Sequence, residues 1–371
     1  MAGEVRQPID VAALSSYIDA NVPEIKTPID VKQFGYGQSN PTYLLTPVPT
    51  GSKFVLRKKP PGQLLSKTAH KVDREYRIIA ALSKTDVPVP KAYCLCEDDA
   101  VIGTAFYIME FLDGRIFEDP ALPDVSVEDR TKMWHDAVRT LAKFHRINPS
   151  SINMSNYGKP SGFYNRQLAT FATISSAQAQ TRDVDSGAPV GKIPHYDDMV
   201  AFFSDARAQP RDRSTFVHGD YKIDNVVFHK TEPRVIGILD WEMSTIGHPL
   251  SDLSNLLAPY VTASADVTIG AGGRGTQNFR PGATPGLPAH EDLVALYAET
   301  AGWDPAPDMT WGEAFNLYRG AVILQGIAAR YARRQASSLK AKEYGEGMGP
   351  MGELAWNLVQ KAKNAEGKAK L

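Results

Sequence analysis

Between two short apolar runs, Phe216-Val217 and Val226-Val227-Phe228, the chain places His218-Gly219-Asp220-Tyr221-Lys222-Ile223-Asp224-Asn225. A turn between strands needs Gly, Asn or Asp for its backbone geometry, and this one carries more polar chemistry than that. A further acidic residue, Asp240, ends the apolar run Val235-Ile236-Gly237-Ile238-Leu239, where a strand would deliver it to a sheet edge, and Glu242 follows. Hard cations such as magnesium take oxygen ligands, often one or two carboxylates plus substrate phosphates. An additional carboxylate beside them can orient a hydroxyl nucleophile. That is the division of labour in phosphoryl transfer, with Asp220 on the acceptor hydroxyl and Asn225 and Asp240 on the metal.

The elements that must position these residues are legible in outline. Residues 8–20 have the pattern of a short amphipathic helix. Residues 30–59 turn extended, as a hairpin meander with a turn at 48–52. Residues 68–82 have helical period again, and 87–95 and 103–112 look like two further strands. After Asp113-Gly114 helices dominate, at 126–145, 197–207, 290–301 and 309–335. Short strands at 215–217 and 235–239 flank the polar turn. A sheet early and helices late predict an α+β protein of two lobes, with residues 1–110 as the N-lobe, residues 111–371 as a mainly helical C-lobe, and a hinge near 110–114. Residues 262–289, rich in Gly, Pro, Thr and Ala, are expected to form a long loop or lid.

The bulk numbers exclude several classes. A chain of 371 residues exceeds one ordinary core, and its 43% hydrophobic and 22% charged content is that of a globular protein. No apolar run approaches a membrane span, and the N-terminus lacks the basic start and apolar core of a secretory signal. Lys+Arg at 41 against Asp+Glu at 42 gives no general attraction to nucleic acid or an anionic membrane. The cysteines, Cys94 and Cys96, have neither a zinc nor a redox spacing and are expected to be buried thiols.

With His218, Gly219, Asp220, Asn225 and Asp240-Trp241-Glu242 in place, the sequence resembles the aminoglycoside phosphotransferase and choline kinase superfamily, which has a protein-kinase-like fold. A narrower likeness is to the kinase-like domain fused to, or working beside, some acyl-CoA dehydrogenases. It rests on FGYGQSNPTYLL (34–45), FVLRKKPPG (54–62), DREYRIIAAL (73–82), YIMEFLDGRIFEDPALP (107–123), RQL (166–168) and LDWEMSTIGHPLSDL (239–253), and it runs from about residue 30 to about 345. The resemblance implies an antiparallel N-lobe sheet with one helix, and ATP with Mg2+ as cofactors. Nucleotide contacts would come from the turn containing Gly35, Gly37, Ser39 and Asn40, from Arg57 paired with Glu75, and from a hinge that receives adenine at Glu110 and Leu112. Arg57 is a departure, since kinases carry lysine there; arginine keeps the charge and can pair bidentately. His218 and Asp252 would brace the catalytic loop.

The acceptor implied is a small hydroxylated molecule, with a hydroxyacyl-CoA favoured and a separate acyl-CoA dehydrogenase-type enzyme as a partner for the product. The alternatives are an aminoglycoside, amino-alcohol or secondary-metabolite kinase, and a non-catalytic nucleotide-binding pseudokinase. The terminal Ala369-Lys370-Leu371 is a variant of the peroxisomal import signal, so a peroxisomal address and its import receptor are expected, with the cytoplasm as the alternative. The stretch before it looks polar and mobile. Gly270, Gly272 and Gly275 match a dinucleotide fingerprint without its strand and helix, and are expected in a flexible loop. Arg330, Arg333, Arg334, Lys340 and Lys342 fit a solvated helical face, with an anion site for a phosphorylated carrier as the rival.

Overall fold

The computed structural model describes residues 2–35, 40–60, 71–263, 276–336 and 338–369. The chain begins with β1 (Ala2–Gly3), α1 (Val11–Asn21), β2 (Ile29–Phe34), β3 (Thr42–Pro47), β4 (Phe54–Lys58), α2 (Val72–Leu82), β5 (Ala92–Cys96), α3 (Asp99–Ile102) and β6 (Phe106–Glu110). It continues with α4 (Val127–Arg146), α5 (Phe163–Gln180), α6 (Tyr196–Ser204), β7 (Thr215–Val217), β8 (Val226–Phe228), β9 (Val235–Ile238), β10 (Thr245–Gly247), α7 (Leu250–Leu256), α8 (Ala258–Ala263), α9 (His290–Ala301), α10 (Met309–Ala332), α11 (Ala341–Glu346) and α12 (Met348–Ala369). The α+β reading holds: an antiparallel sheet early, a largely helical remainder.

The early strands make one six-stranded antiparallel sheet in the order β1-β2-β3-β4-β6-β5. Its central strand β4 is buried along its whole length. Leu14, Ile18, Tyr43, Leu45, Leu56, Phe106 and Ile108 form the core against it, with Cys94 and Cys96 among them as free, buried thiols. Helices α1 and α4 start on side-chain caps. Asp10 accepts the Ala13 N–H at 2.9 Å ahead of α1, and Ser126 accepts the Asp129 N–H at 3.1 Å ahead of α4.

Two compact units emerge. One comprises Met1–Ile116, Ile152–Met154 and Asn225–Ser244; the other comprises Phe117–Ser151, Ser155–Asp224 and Thr245–Leu371. The sequence placed a single boundary between 110 and 111, whereas the chain re-enters the first unit at Asn225. The reason is strand pairing. Arg115 N–H donates to the Phe228 carbonyl at 2.7 Å and Phe228 N–H returns to the Arg115 carbonyl at 2.9 Å, so the β8–β9 hairpin belongs with the sheet-bearing unit. Close approach fixes this junction: a Cβ at Gly114 would lie 2.3 Å from the Phe228 carbonyl oxygen.

The second unit is built on α10, whose Phe315, Tyr318, Ala321 and Val322 pack with Phe171 of α5, Phe203 of α6 and Leu354 and Val359 of α12. Helices α5 and α12 were not anticipated. The KAKNAEGKA stretch, expected to be mobile, is the end of α12. Among the described residues no helix is long and apolar enough to cross a membrane.

Candidate active site

In the first unit the chemistry converges on Arg57. Strand β4 sets it opposite Tyr107 of β6, and α2 carries the fully buried Glu75 in its first turn. Arg57 Nη1 lies 3.0 Å from Glu75 Oε2, forming the pair the sequence suggested. Glu75 also accepts from Tyr107 Oη at 3.0 Å and from Asn40 Nδ2 at 2.7 Å. A buried carboxylate is tolerable only when its lone pairs are met in this way. Burial pushes the Glu75 carboxyl up to about 6, against the pull of Arg57 and Tyr107. Both Nη atoms of Arg57 also donate to Asp240 Oδ1, each at 3.2 Å. Its Nε–H is buried and has no acceptor among the described residues.

Asp240 follows β9 in left-handed backbone conformation, φ 64°, which aspartate tolerates better than most residues. Its side chain is 39% exposed, leaving the carboxylate reachable. Asn225 precedes β8, and its carbonyl accepts the Leu239 N–H at 2.9 Å. Since Val226 pairs with Ile238, Asn225 and Asp240 flank the same end of the hairpin. One carboxylate and one amide oxygen fit a magnesium ion that takes its other ligands from phosphate and water. Among the described residues no cluster of three or more His, Cys, Asp or Glu could cage a metal alone. The orphaned Arg57 Nε–H fits an anionic group such as a nucleotide phosphate.

The other expected nucleotide contacts divide. Gly37 and Ser39 lie outside the described residues, as do Gly270, Gly272, Gly275 and the last two residues, Lys370 and Leu371. Gly35 follows β2, and a Cβ there would meet nothing within 4 Å. The Asn40 side chain is buried and donates to Glu75, where it buttresses the ion pair. Glu110 ends β6, with its N–H given to the Lys91 carbonyl at 2.8 Å and its carboxylate accepting the Lys91 N–H at 3.0 Å. The Leu112 side chain lies over Gly237 of β9, where a Cβ would sit 2.0 Å from Leu112 Cδ1.

The second unit holds the Asp220 loop. Asp252, in the first turn of α7, accepts the N–H groups of His218 at 2.6 Å and Gly219 at 2.8 Å. This is the backbone brace anticipated for Asp252. His145 Nε2 contacts the same carboxylate at 3.2 Å while its Nδ1 meets Tyr297 Oη at 2.7 Å. Burial works to raise the Asp252 carboxyl, but hydrogen bonding and charge from His145 and His218 hold it below its ordinary value. His218 is fully buried, and its Nδ1 accepts the Asp220 N–H at 3.2 Å. The ring therefore shapes the loop.

Three neighbours were missed from sequence. Asn255 Nδ2 donates to the Tyr221 carbonyl at 3.1 Å and lies 3.5 Å from Asp220 Oδ1. It sits one helical turn after Asp252, so helical spacing could have flagged it. Lys222 Nζ pairs with Asp224 at 2.9 Å and stands 3.7 Å from Asp220 Oδ2. Arg319 of α10 donates from Nη2 to the Gly219 carbonyl at 2.6 Å, a long-range contact with no local signal. The basic stretch near the end of α10 is partly neutralised: Arg334 pairs with Asp183 at 3.0 Å and also contacts Asp185.

The "Phosphotransferase enzyme family" model matches residues 30–293. Acyl-CoA dehydrogenase family member 11 of Rattus norvegicus is 36% identical over 335 residues, covering 89% of this chain and 40% of its own length. The chain thus spans well under half of such relatives. A solved candidate aminoglycoside phosphotransferase from Ralstonia eutropha is 34% identical, with a TM-score of 0.80, and the match covers 95% of this chain and 99% of that one. Plasmodium vivax ethanolamine kinase shares the fold at 13% identity, with a TM-score of 0.59 over 93% of this chain and 85% of its own. The chain belongs to the phosphotransferase enzyme family and has a kinase-like fold.

Proposed function

We propose that this chain uses ATP and magnesium to phosphorylate a hydroxyl group of a small molecule, with a hydroxyacyl-CoA as the acceptor. The observation that carries the reading is Arg57. It is a buried guanidinium anchored by Glu75, in contact with Asp240, whose Nε–H has no acceptor among the described residues and suits a phosphate oxygen. Asn225 and Asp240 would hold the magnesium, which when bound offsets negative charge on the β- and γ-phosphates. Asp220 orients the acceptor hydroxyl. The hydroxyl oxygen bonds to the γ-phosphorus, the bond from that phosphorus to the ADP oxygen breaks, and the hydroxyl proton passes to Asp220 and then to solvent. Catalysis is positioning and charge stabilisation more than covalent chemistry.

The acceptor class is supported by the relatives named for acyl-CoA dehydrogenases, of which this chain matches a part. Phosphorylation makes a hydroxyl a leaving group, so a dehydrogenase-type enzyme is the proposed consumer of the product. An aminoglycoside or amino alcohol is the second reading, favoured by the name of the Ralstonia protein. ATP consumption by the purified chain, across hydroxyacyl-CoAs, free hydroxy acids, aminoglycosides and choline, separates them. Turnover is expected with the hydroxyacyl-CoAs and is expected to vanish in Asp220→Ala. Turnover confined to aminoglycosides would replace the acceptor, and silence with every acceptor despite tight ATP binding would favour a pseudokinase. A peroxisomal address at Ala369-Lys370-Leu371 is also proposed. A fluorescent protein carrying that tail should enter peroxisomes and fail to do so without Leu371; diffuse fluorescence from the intact tail would sink it.

A further inference from the structure

The Gly219 peptide is held from both sides. Its N–H is fixed by Asp252 of α7. Its carbonyl accepts from Arg319 Nη2 of α10 at 2.6 Å, across a separation of 100 residues. Gly219 has φ 86°, a left-handed conformation that a glycine adopts without strain and that external contacts must hold in place. The next residue is Asp220. Arg319 Nη1 also reaches Asn255 Oδ1 at 3.4 Å, and Asn255 in turn holds the Tyr221 carbonyl. Carbonyls on both sides of Asp220 are therefore tied, directly or through one side chain, to a single guanidinium.

The charge arrangement agrees. Burial pulls Arg319 below its ordinary value, while the negative charges of Asp220 and Asp252 oppose that. Removing a half-buried arginine from among carbonyls and carboxylates leaves acceptors without donors, and such losses are larger than an exposed ion pair would suggest.

We propose that Arg319 is a positioning residue for phosphoryl transfer, clamping the Gly219 carbonyl so that Asp220 presents its carboxylate to the acceptor hydroxyl. The inference rests on the phosphotransferase reading above, but half of its test does not. Small misplacements of a catalytic group cost rate more than binding. In Arg319→Met, kcat should fall roughly 10- to 100-fold while the KM for ATP stays within about twofold. Arg319→Lys, which restores a cation and one donor, should recover part of the loss. Independently of turnover, amide hydrogen exchange in residues 216–222 should quicken in Arg319→Met while α10 and α12 keep their protection. Wild-type kcat in Arg319→Met, or protection lost equally throughout the second unit, would overturn the proposal. Failure of the wild-type chain to turn over any acceptor would count against the phosphotransferase reading alone. The exchange pattern would then still decide whether Arg319 clamps the loop.

Discussion

At the scale of the residue, the departure from lysine at position 57 has a structural explanation. One guanidinium spans two carboxylates, meeting Glu75 at 3.0 Å and Asp240 at 3.2 Å. A lysine ammonium keeps the charge but lacks the planar fork that serves both at once. Arg57→Lys should therefore lower kcat/KM for ATP roughly tenfold or more, on the scale of one lost charged hydrogen bond. Steady-state kinetics with varied ATP check this, and an unchanged value would mean that the fork is dispensable. His248 gives a pH prediction. It is fully buried; its Nε2 faces the Arg211 carbonyl at 3.2 Å and its Nδ1 accepts the Leu250 N–H at 3.2 Å. Protonation would abolish that acceptor, and burial brings the imidazole down to about 4, with Arg213 and His145 adding to the fall and Asp212 opposing it. Between about pH 6.5 and 4 the unfolded chain then binds a proton at His248 that the folded chain does not. Stability should drop across that window as pH falls, by on the order of 3 kcal/mol when complete. Urea midpoints at pH 7 and 4.5 measure it, and His248→Asn should show a shallower decline.

At the scale of the element, the β8–β9 hairpin carries Asn225 and Asp240, and its attachment depends on Gly114. Gly114→Ala would set a methyl group 2.3 Å from the Phe228 carbonyl and 2.6 Å from Val227 Cγ1. Backbone cannot yield as a flexible side chain can, so we expect a loss of about 1–3 kcal/mol and reduced activity through displacement of Asn225. Denaturant unfolding and ATP turnover of the same variant test the link; full stability with full activity would refute it. Elsewhere in the chain β4, β6 and α4 were legible, because β4 and β6 contain apolar runs and α4 has helical period with a polar face. Helix α5 was passed over: its Ala, Thr, Ser and Gln residues give a weak stripe, and packing on α10 holds it. Helix α12 was read partly as a loose tail because its last residues are polar.

At the scale of the whole molecule, the proposed ligands should behave as stabilisers. ATP with magnesium at about 100 times its Kd should stabilise the folded chain by about 2.7 kcal/mol, seen as a rise in Tm. EDTA should remove the metal-dependent part of that rise, and Asp240→Asn should show little of it while still responding to ATP alone. A magnesium increment that survives in Asp240→Asn would remove Asp240 from the metal site. The chain crosses between its two units inside the polar turn, at Asp224 and Asn225. The motif that is continuous in sequence is thus shared: His218 and Asp220 belong to one unit, Asn225 and Asp240 to the other.

By itself the sequence determined the α+β class, the order of sheet and helices, the Asp220, Asn225 and Asp240 constellation, and the Arg57–Glu75 pairing. The class and the order of elements are set by local apolar periodicity and turn chemistry written along the chain, whereas the Arg57–Glu75 pairing was implied by the family resemblance. Tertiary structure alone decided that Asn40 donates to Glu75, that residues 225–244 join the sheet-bearing unit, and that Arg319 meets the Gly219 carbonyl. Each of these is a contact between residues far apart in sequence, chosen by which buried donors and acceptors find one another once the cores have packed. No spacing along the chain records that choice.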